Sequence, residues 1–208
     1  CGGCSILSVP YEKQLEIKSE QVLKLFEEQD IRGFEFLGIE GSPDERVYRN
    51  KMEYTFGDEV KGGPLTLGMH KKGRHLDIIT VDDCRLVDED FIKVLTSTVE
   101  YFGQKELPYY RINSHQGFLR NLVVRKGVNT NQLMVNIVTT TQEDFDMTEY
   151  KDMILNLGTK AELVSILHTI NDGLADAVNC DEVRVLHGRD SIEEVVLGLR
   201  FKISPFSF

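Results

Sequence analysis

Cys1 and Cys4 open the chain as Cys-Gly-Gly-Cys, and Cys84 follows in Asp-Asp-Cys-Arg-Leu. Thiolate sulfurs hold soft metals and iron–sulfur clusters, and glycine between two cysteines lets the backbone turn tightly enough to aim both sulfurs at one centre. A Cys-x-x-Cys by itself is compatible with a redox pair, a zinc site or neither. Cys180, in Val-Asn-Cys-Asp-Glu, has no such neighbour and reads as a small buried or half-exposed residue. The other chemistry-bearing residues are cationic: Arg49 and Lys51, the run His70-Lys-Lys-Gly-Arg-His75, and the stretch from Arg111 to Lys126 with His115 and Arg120 in it. Read alone, short basic groups of this kind are solvated loop and strand faces.

The charge balance narrows the choice. A formal net charge of −10 argues against a protein whose whole surface coats a polyanion, because phosphate affinity comes largely from Lys and Arg displacing counterions. It counts against polyanion binding as the main task and leaves room for a local basic strip. Hydrophobic content of 41% and charge of 28% fit an ordinary globular chain. No apolar run reaches the roughly 18 residues of a membrane span, and no signal-peptide pattern is present. With four cysteines and no secretory signature, thiols or metal ligands are expected rather than disulfides, in the cytoplasm. No Gly-x-Gly-x-x-Gly, no Asp-Pro-Pro-like or Asn-Pro-Pro-like segment and no Ser/His/Asp or paired-carboxylate arrangement stands out. No catalytic or cofactor-binding residue is assigned.

The elements that must position these groups follow from periodicity. Pro10 starts a helix with an apolar stripe through Leu15, Val22, Leu25 and Phe26, running to about Gln29. Strand-like Val47–Phe56, a Gly62-Gly63-Pro64 turn, Leu65–His70 and His75–Val81 make a small antiparallel meander that ends just before Cys84. Folded back over the first helix, this meander brings Cys84 near Cys1 and Cys4. Asp88 caps a second helix, with Phe91, Val94, Leu95, Thr98 and Phe102 at helical spacing. Leu119–Arg125 and Leu133–Thr139 read as a long hairpin. A short helix over Met147–Leu157 is followed by strands near Leu163–Ile170, Glu182–Leu186 and Ile192–Ile203. The class is α+β, mainly antiparallel with flanking helices: a small meander near the cysteines, then a larger sheet. The organisation is either two regions, 1–107 and 108–208, or one continuous domain.

Several separate stretches resemble one family, the RNA (uracil-5-)-methyltransferases, which place a 5-methyl group on uridine in 23S ribosomal RNA or transfer RNA. They are Cys1-Gly-Gly-Cys4, Tyr48-Arg-Asn-Lys-Met-Glu-Tyr54, Leu67-Gly-Met-His70, Asp83-Cys-Arg-Leu86, His115-Gln-Gly-Phe-Leu-Arg120 and Ile203-Ser-Pro-Phe-Ser-Phe208. In the ribosomal branch a [4Fe–4S] cluster is held by a Cys-x5-Cys-Gly-Gly-Cys run and one distant cysteine. The resemblance makes Cys1, Cys4 and Cys84 three of those ligands, with the first expected just upstream of residue 1.

It also implies a central piece of a longer protein, without the N-terminal oligonucleotide-binding barrel or the C-terminal domain that binds S-adenosylmethionine and carries the chemistry. Such a piece is expected to be inactive alone. Three thiolates are expected to hold the cluster poorly, or to take zinc completed by histidine or water. The expected RNA contacts are Arg49, Lys51, His115, Arg120 and Phe208, the last against the target uracil, with 23S ribosomal RNA as partner and no membrane. Two other readings remain: a free-standing metal-stapled RNA-binding module without catalysis, and the transfer RNA branch, which generally lacks the cluster cysteines.

Overall fold

Residues 1–174 and 181–207 of a computed structural model are described here; Cys180 and Phe208 lie outside them. Helix α1 (Tyr11–Glu28) precedes a meander of β1 (Lys51–Asp58), β2 (Leu65–Lys71) and β3 (Arg74–Thr80). Then come α2 (Glu89–Gln104), the hairpin β4 (Leu119–Gly127) and β5 (Gln132–Thr139), α3 (Thr148–Leu155), β6 (Glu162–Ile170) and β7 (Glu182–Gly188). A last hairpin joins β8 (Ile192–Val196) to β9 (Leu199–Ile203).

The α+β expectation holds, and the two expected sheets are one. Among the described residues a seven-stranded sheet has the order β3-β2-β1-β4-β5-β6-β7. Meander and larger sheet join where β1 pairs antiparallel with β4, from Lys51 opposite Arg125 to Thr55 opposite Asn121. The β5–β6 pair is parallel, because α3 carries the chain back between them.

Period-two alternation sets the faces. Met52, Tyr54 and Phe56 of β1, Leu122 and Val124 of β4, and Leu133, Val135 and Ile137 of β5 form the main core with Phe91, Val94, Leu95 and Phe102 of α2 and Tyr150 and Ile154 of α3. The opposite face carries Met134 and Leu167, capped by Ile192 from the last hairpin. Strand β4 is therefore covered on both sides, which is why it reads as a nearly unbroken apolar run.

Buried charges tie the layers together. Asp88 caps α2 by accepting from the Asp90 amide at 3.0 Å. Asp90, fully buried, accepts from the Lys160 and Ala161 amides at 2.8 Å each. Lys126 of β4 bridges to Asp88 at 2.9 Å and Asp90 at 3.7 Å. The start of α2 is thus bolted to the entry of β6. The last hairpin is fixed in the same way: the Glu194 carboxylate takes the Asn129 amide at 3.1 Å, and Thr130 donates to the Glu193 carbonyl at 2.6 Å.

Two expected strands differ. The run Ile192–Ile203 is a hairpin, because Leu197 and Gly198 both take positive φ (51° and 80°), the two-residue turn whose twist suits antiparallel strands. Apolar Leu197, 98% exposed, hid the turn inside a hydrophobic stretch. The strand expected from Val47 begins at Lys51, since Val47 has φ 56°. Val47 and Arg49 instead donate to the carbonyls of Arg85 and Leu86, at 3.1 and 2.9 Å. Among the described residues no helix is long and apolar enough to cross a membrane.

His168 on β6 is 5% exposed, with Nε2 2.8 Å from the Thr139 hydroxyl. Burial pushes its pKa down to about 4, helped by Arg184 on β7 and opposed by Glu182. In the unfolded chain a histidine titrates near 6.5, so between about pH 6.5 and 4 the unfolded state binds the extra proton. Stability is full above that window and falls as pH drops through it, by roughly 3 kcal/mol at most. Urea unfolding at pH 7 and pH 5 should show this loss, and His168→Gln should remove most of the difference.

Candidate metal centre and nucleic-acid interface

The amino end is held to the sheet by one hydrogen bond, from the Gly2 amide to the His70 carbonyl at 3.0 Å. That carbonyl is open because β2 runs on past Gly68, the last residue it pairs with β1. Neither Gly2 nor Gly3 takes a positive φ, so the glycines give the loop smallness rather than left-handed geometry. Cys1 is exposed, Cys4 half-buried, and Cys84 half-buried against the main core. All three are free thiols on one cavity of about 950 Å3, which also takes in Tyr48, Arg85 and residues of the α1 N-terminus.

Cys1, Cys4 and Cys84, expected as ligands of one centre, thus line the same cavity. Among the described residues no three His, Cys, Asp or Glu side chains form a ready coordination set. The donor chemistry suits a thiolate-bound group, and the set as it stands is open. Nearby, the Tyr54 hydroxyl is buried without a hydrogen-bond partner. Burial pushes its pKa well above the usual phenol range, and the charge of Cys84 adds to this. The phenol is thus a neutral group whose donor is unused.

The expected RNA-contact residues fall into two groups at opposite ends of β4. At one end Arg49 is exposed, Lys51 stands half-buried opposite Arg125, and Lys51 Nζ lies 3.6 Å from Glu53. The segment leading to Phe208 reaches the same end, where Arg125 donates to the carbonyls of Pro205 and Ser207. His115 and Arg120 sit at the other end, roughly 20 Å away at 3.3 Å per strand residue.

His115 is exposed with φ 55°, its Nδ1 3.1 Å from the Tyr110 hydroxyl and its carbonyl accepting from Gln142 at 2.9 Å. Gly117 closes this loop with φ 123°, where a Cβ would stand 2.0 Å from the Tyr109 carbonyl oxygen. Arg120 is 4% exposed; its guanidinium lies 4.2 Å over the Tyr110 ring and donates to the Asn171 and Gly173 carbonyls at 3.0 and 2.6 Å. It braces the His115 loop from inside.

Arg125 and Tyr54 were not singled out from sequence. A charged residue directly after the apolar run Leu122–Val124 was the available signal for Arg125, since a buried guanidinium needs acceptors. Nothing in the spacing marks Tyr54. The contrast in burial predicts different costs for the two arginines. Arg120→Ala should lower unfolding free energy by about 2–3 kcal/mol, whereas Arg49→Ala should stay within about 0.5 kcal/mol of wild type. Denaturant titration of both variants measures this.

No protein-family model matches the chain. Curated relatives do. Proteins called uncharacterized RNA methyltransferases from Clostridium tetani and Clostridium acetobutylicum are each 55% identical over 208 residues, and one from Caldanaerobacter subterraneus subsp. tengcongensis is 49% identical. Each match covers 100% of this chain and 46% of the relative, so the chain spans about half the length of the curated relatives it matches. Among solved structures, the Pyrococcus abyssi tRNA (uracil-54, C5)-methyltransferase in complex with S-adenosyl-L-homocysteine aligns with a TM-score of 0.70 and 22% identity, over 99% of this chain and 46% of that one. At that identity the likeness is one of fold. The chain is homologous along its whole length to part of proteins named RNA methyltransferases, and it shares its fold with part of a transfer RNA uracil C5 methyltransferase.

Proposed function

We propose that this chain is the RNA-contacting, iron–sulfur-type central part of an S-adenosylmethionine-dependent (uracil-5-)-methyltransferase acting on 23S ribosomal RNA. The observation that carries the reading is the shared cavity of Cys1, Cys4 and Cys84, in a chain whose full length matches proteins named RNA methyltransferases. Cysteines so far apart in sequence, with one hydrogen-bonded strand end holding the first of them, suit a staple between the amino end and the sheet.

The three thiolates would hold the cluster, whose contribution is structural, since methyl transfer needs no electron-transfer step. The buried Tyr54 hydroxyl, which has no hydrogen-bond partner, is a donor left open in the same region. No residue of this chain is assigned to S-adenosylmethionine, and the chemistry is assigned to the remainder of a protein about twice this length. Attack on a methyl sulfonium by uracil C5 needs prior addition of a nucleophile at C6, and the target base must first leave its stack, at a few kcal/mol.

This chain helps to offset that cost. Arg49 and Lys51 meet phosphates, while an aromatic ring such as Phe208 recovers about 1–3 kcal/mol by stacking on an unstacked base. His115 offers a second contact at the far end of β4, and Arg120 serves RNA by holding the His115 loop. Two anchor points separated by a strand length suit a folded RNA of several nucleotides. A second reading, transfer RNA as substrate, is favoured by the likeness to a tRNA (uracil-54, C5)-methyltransferase.

Two measurements test these assignments. The full protein given labelled S-adenosylmethionine should place a methyl group on uridine of unmodified 23S RNA; labelling of transfer RNA alone would select the second reading, and labelling of neither would end both. After reconstitution with iron and sulfide, the full protein should show broad visible absorption that Cys84→Ser removes. Unchanged absorption in that variant would exclude Cys84 as a ligand.

A further inference from the structure

Arg125 is 7% exposed near the end of the central strand β4, opposite Lys51 on β1 and Met134 on β5. Burial pulls its pKa down and the Glu53 carboxylate pushes it back up. A guanidinium this desolvated persists where its planar fork is filled by acceptors. Here both acceptors are main-chain carbonyls of one short segment: Nε donates to Pro205 at 2.9 Å and Nη2 to Ser207.

That segment is closed on itself. The Ser207 amide donates to the Ser204 carbonyl at 3.3 Å, and the Ser204 amide to the Ser207 hydroxyl at 3.0 Å. The fork therefore grips a preformed turn. On the adjacent strand, Lys51 starts β1 and the Arg49 amide is tied to Leu86.

We propose that Arg125 is a positioning residue for RNA: by locking the Ser204–Ser207 turn against the sheet, it fixes that turn beside Lys51, so that the RNA contact proposed for Phe208 is made together with those of Arg49 and Lys51. The inference rests on the RNA-contacting reading above. Arg125 is buried and turns its Nε and Nη2 donors to these carbonyls, so its part is to hold the turn rather than to meet RNA. Lysine cannot replace it, since a point charge reaches one carbonyl where the fork spans two.

The test uses the full protein with Arg125→Met, which keeps much of the apolar stem, Arg125→Lys, Phe208→Ala and the Arg125→Met/Phe208→Ala double variant. In Arg125→Met, exchange of the Ser204 and Ser207 amides should speed up about tenfold while the β4–β5 amides keep their protection. Arg125→Lys should recover part of that protection, and it carries the same comparison should Arg125→Met fail to fold. Affinity for an unmodified 23S transcript should fall about tenfold in each single variant. In the double variant it should fall no further than in Phe208→Ala, as two residues acting through one contact require.

Unchanged exchange at Ser204 and Ser207, or additive losses in the double variant, would overturn the positioning role while leaving RNA contact in place. A wild-type protein that does not bind the transcript, with exchange still accelerated in Arg125→Met, would instead sink the RNA-contacting reading and the role built on it.

Discussion

The pairing of β1 with β4 is the constraint on which the rest of the molecule depends. It joins the meander to the long hairpin, so that seven strands among the described residues form one sheet. Its register places Met52 and Tyr54 on the face that α2 and α3 cover, alongside Leu122 and Val124. Lys51 and Glu53 are left on the other face beside Arg125. Side chains alternate every residue, so a slip of one position would turn Tyr54 out of the core and Lys51 into it. The same register brings the flank of Cys84, the Arg49 backbone and the segment ending at Ser207 to one end of the sheet.

Around that sheet, the buried charged groups serve as ties between layers. Asp90 binds α2 to the entry of β6, Glu194 binds the last hairpin to the β4–β5 turn, Arg120 binds the His115 loop to the end of β6, and Arg125 binds the Ser204–Ser207 turn. Each pairs mainly with backbone amides or carbonyls rather than with an opposite charge. A buried ion left unpaired is costly, whereas one filled by well-placed backbone groups specifies a single arrangement. The α1 helix is the exception: it buries no residue fully, and it meets the loop that follows it through the hydrogen bond from the Ser42 amide to Tyr11 and the Phe26–Phe34 ring contact at 4.8 Å.

Much of this could be read from the sequence. The apolar spacing of α2 named the residues that are buried there, and the Asp88 cap is present as expected. The Gly62-Gly63-Pro64 turn and the long hairpin fell where turn chemistry and β-branched runs placed them. What escaped was set by tertiary contacts or by residues acting against type. Leu197 in a left-handed turn looks like strand, and Val47 is diverted by backbone bonds to Arg85. The family-like motifs singled out Cys1, Cys4 and Cys84, which line one cavity. They could not separate the cationic residues, because the distinction between exposed Arg49, buried Arg120 and the gripping Arg125 lies in which face of β4 is covered and in where the chain returns from residues 171 and 205. None of these contacts is local in sequence.

The central claim is that RNA is met at the end of the sheet where Arg49, Lys51 and the Ser204–Ser207 turn come together. Photocrosslinking of the full protein to 23S RNA carrying thio-substituted uridines, followed by peptide mapping, addresses it directly. Adducts should concentrate in peptides spanning residues 48–51 and 204–208, with weaker ones around His115. Adducts confined to the outer surfaces of α2 and α3, with both predicted peptides unmodified, would contradict the account.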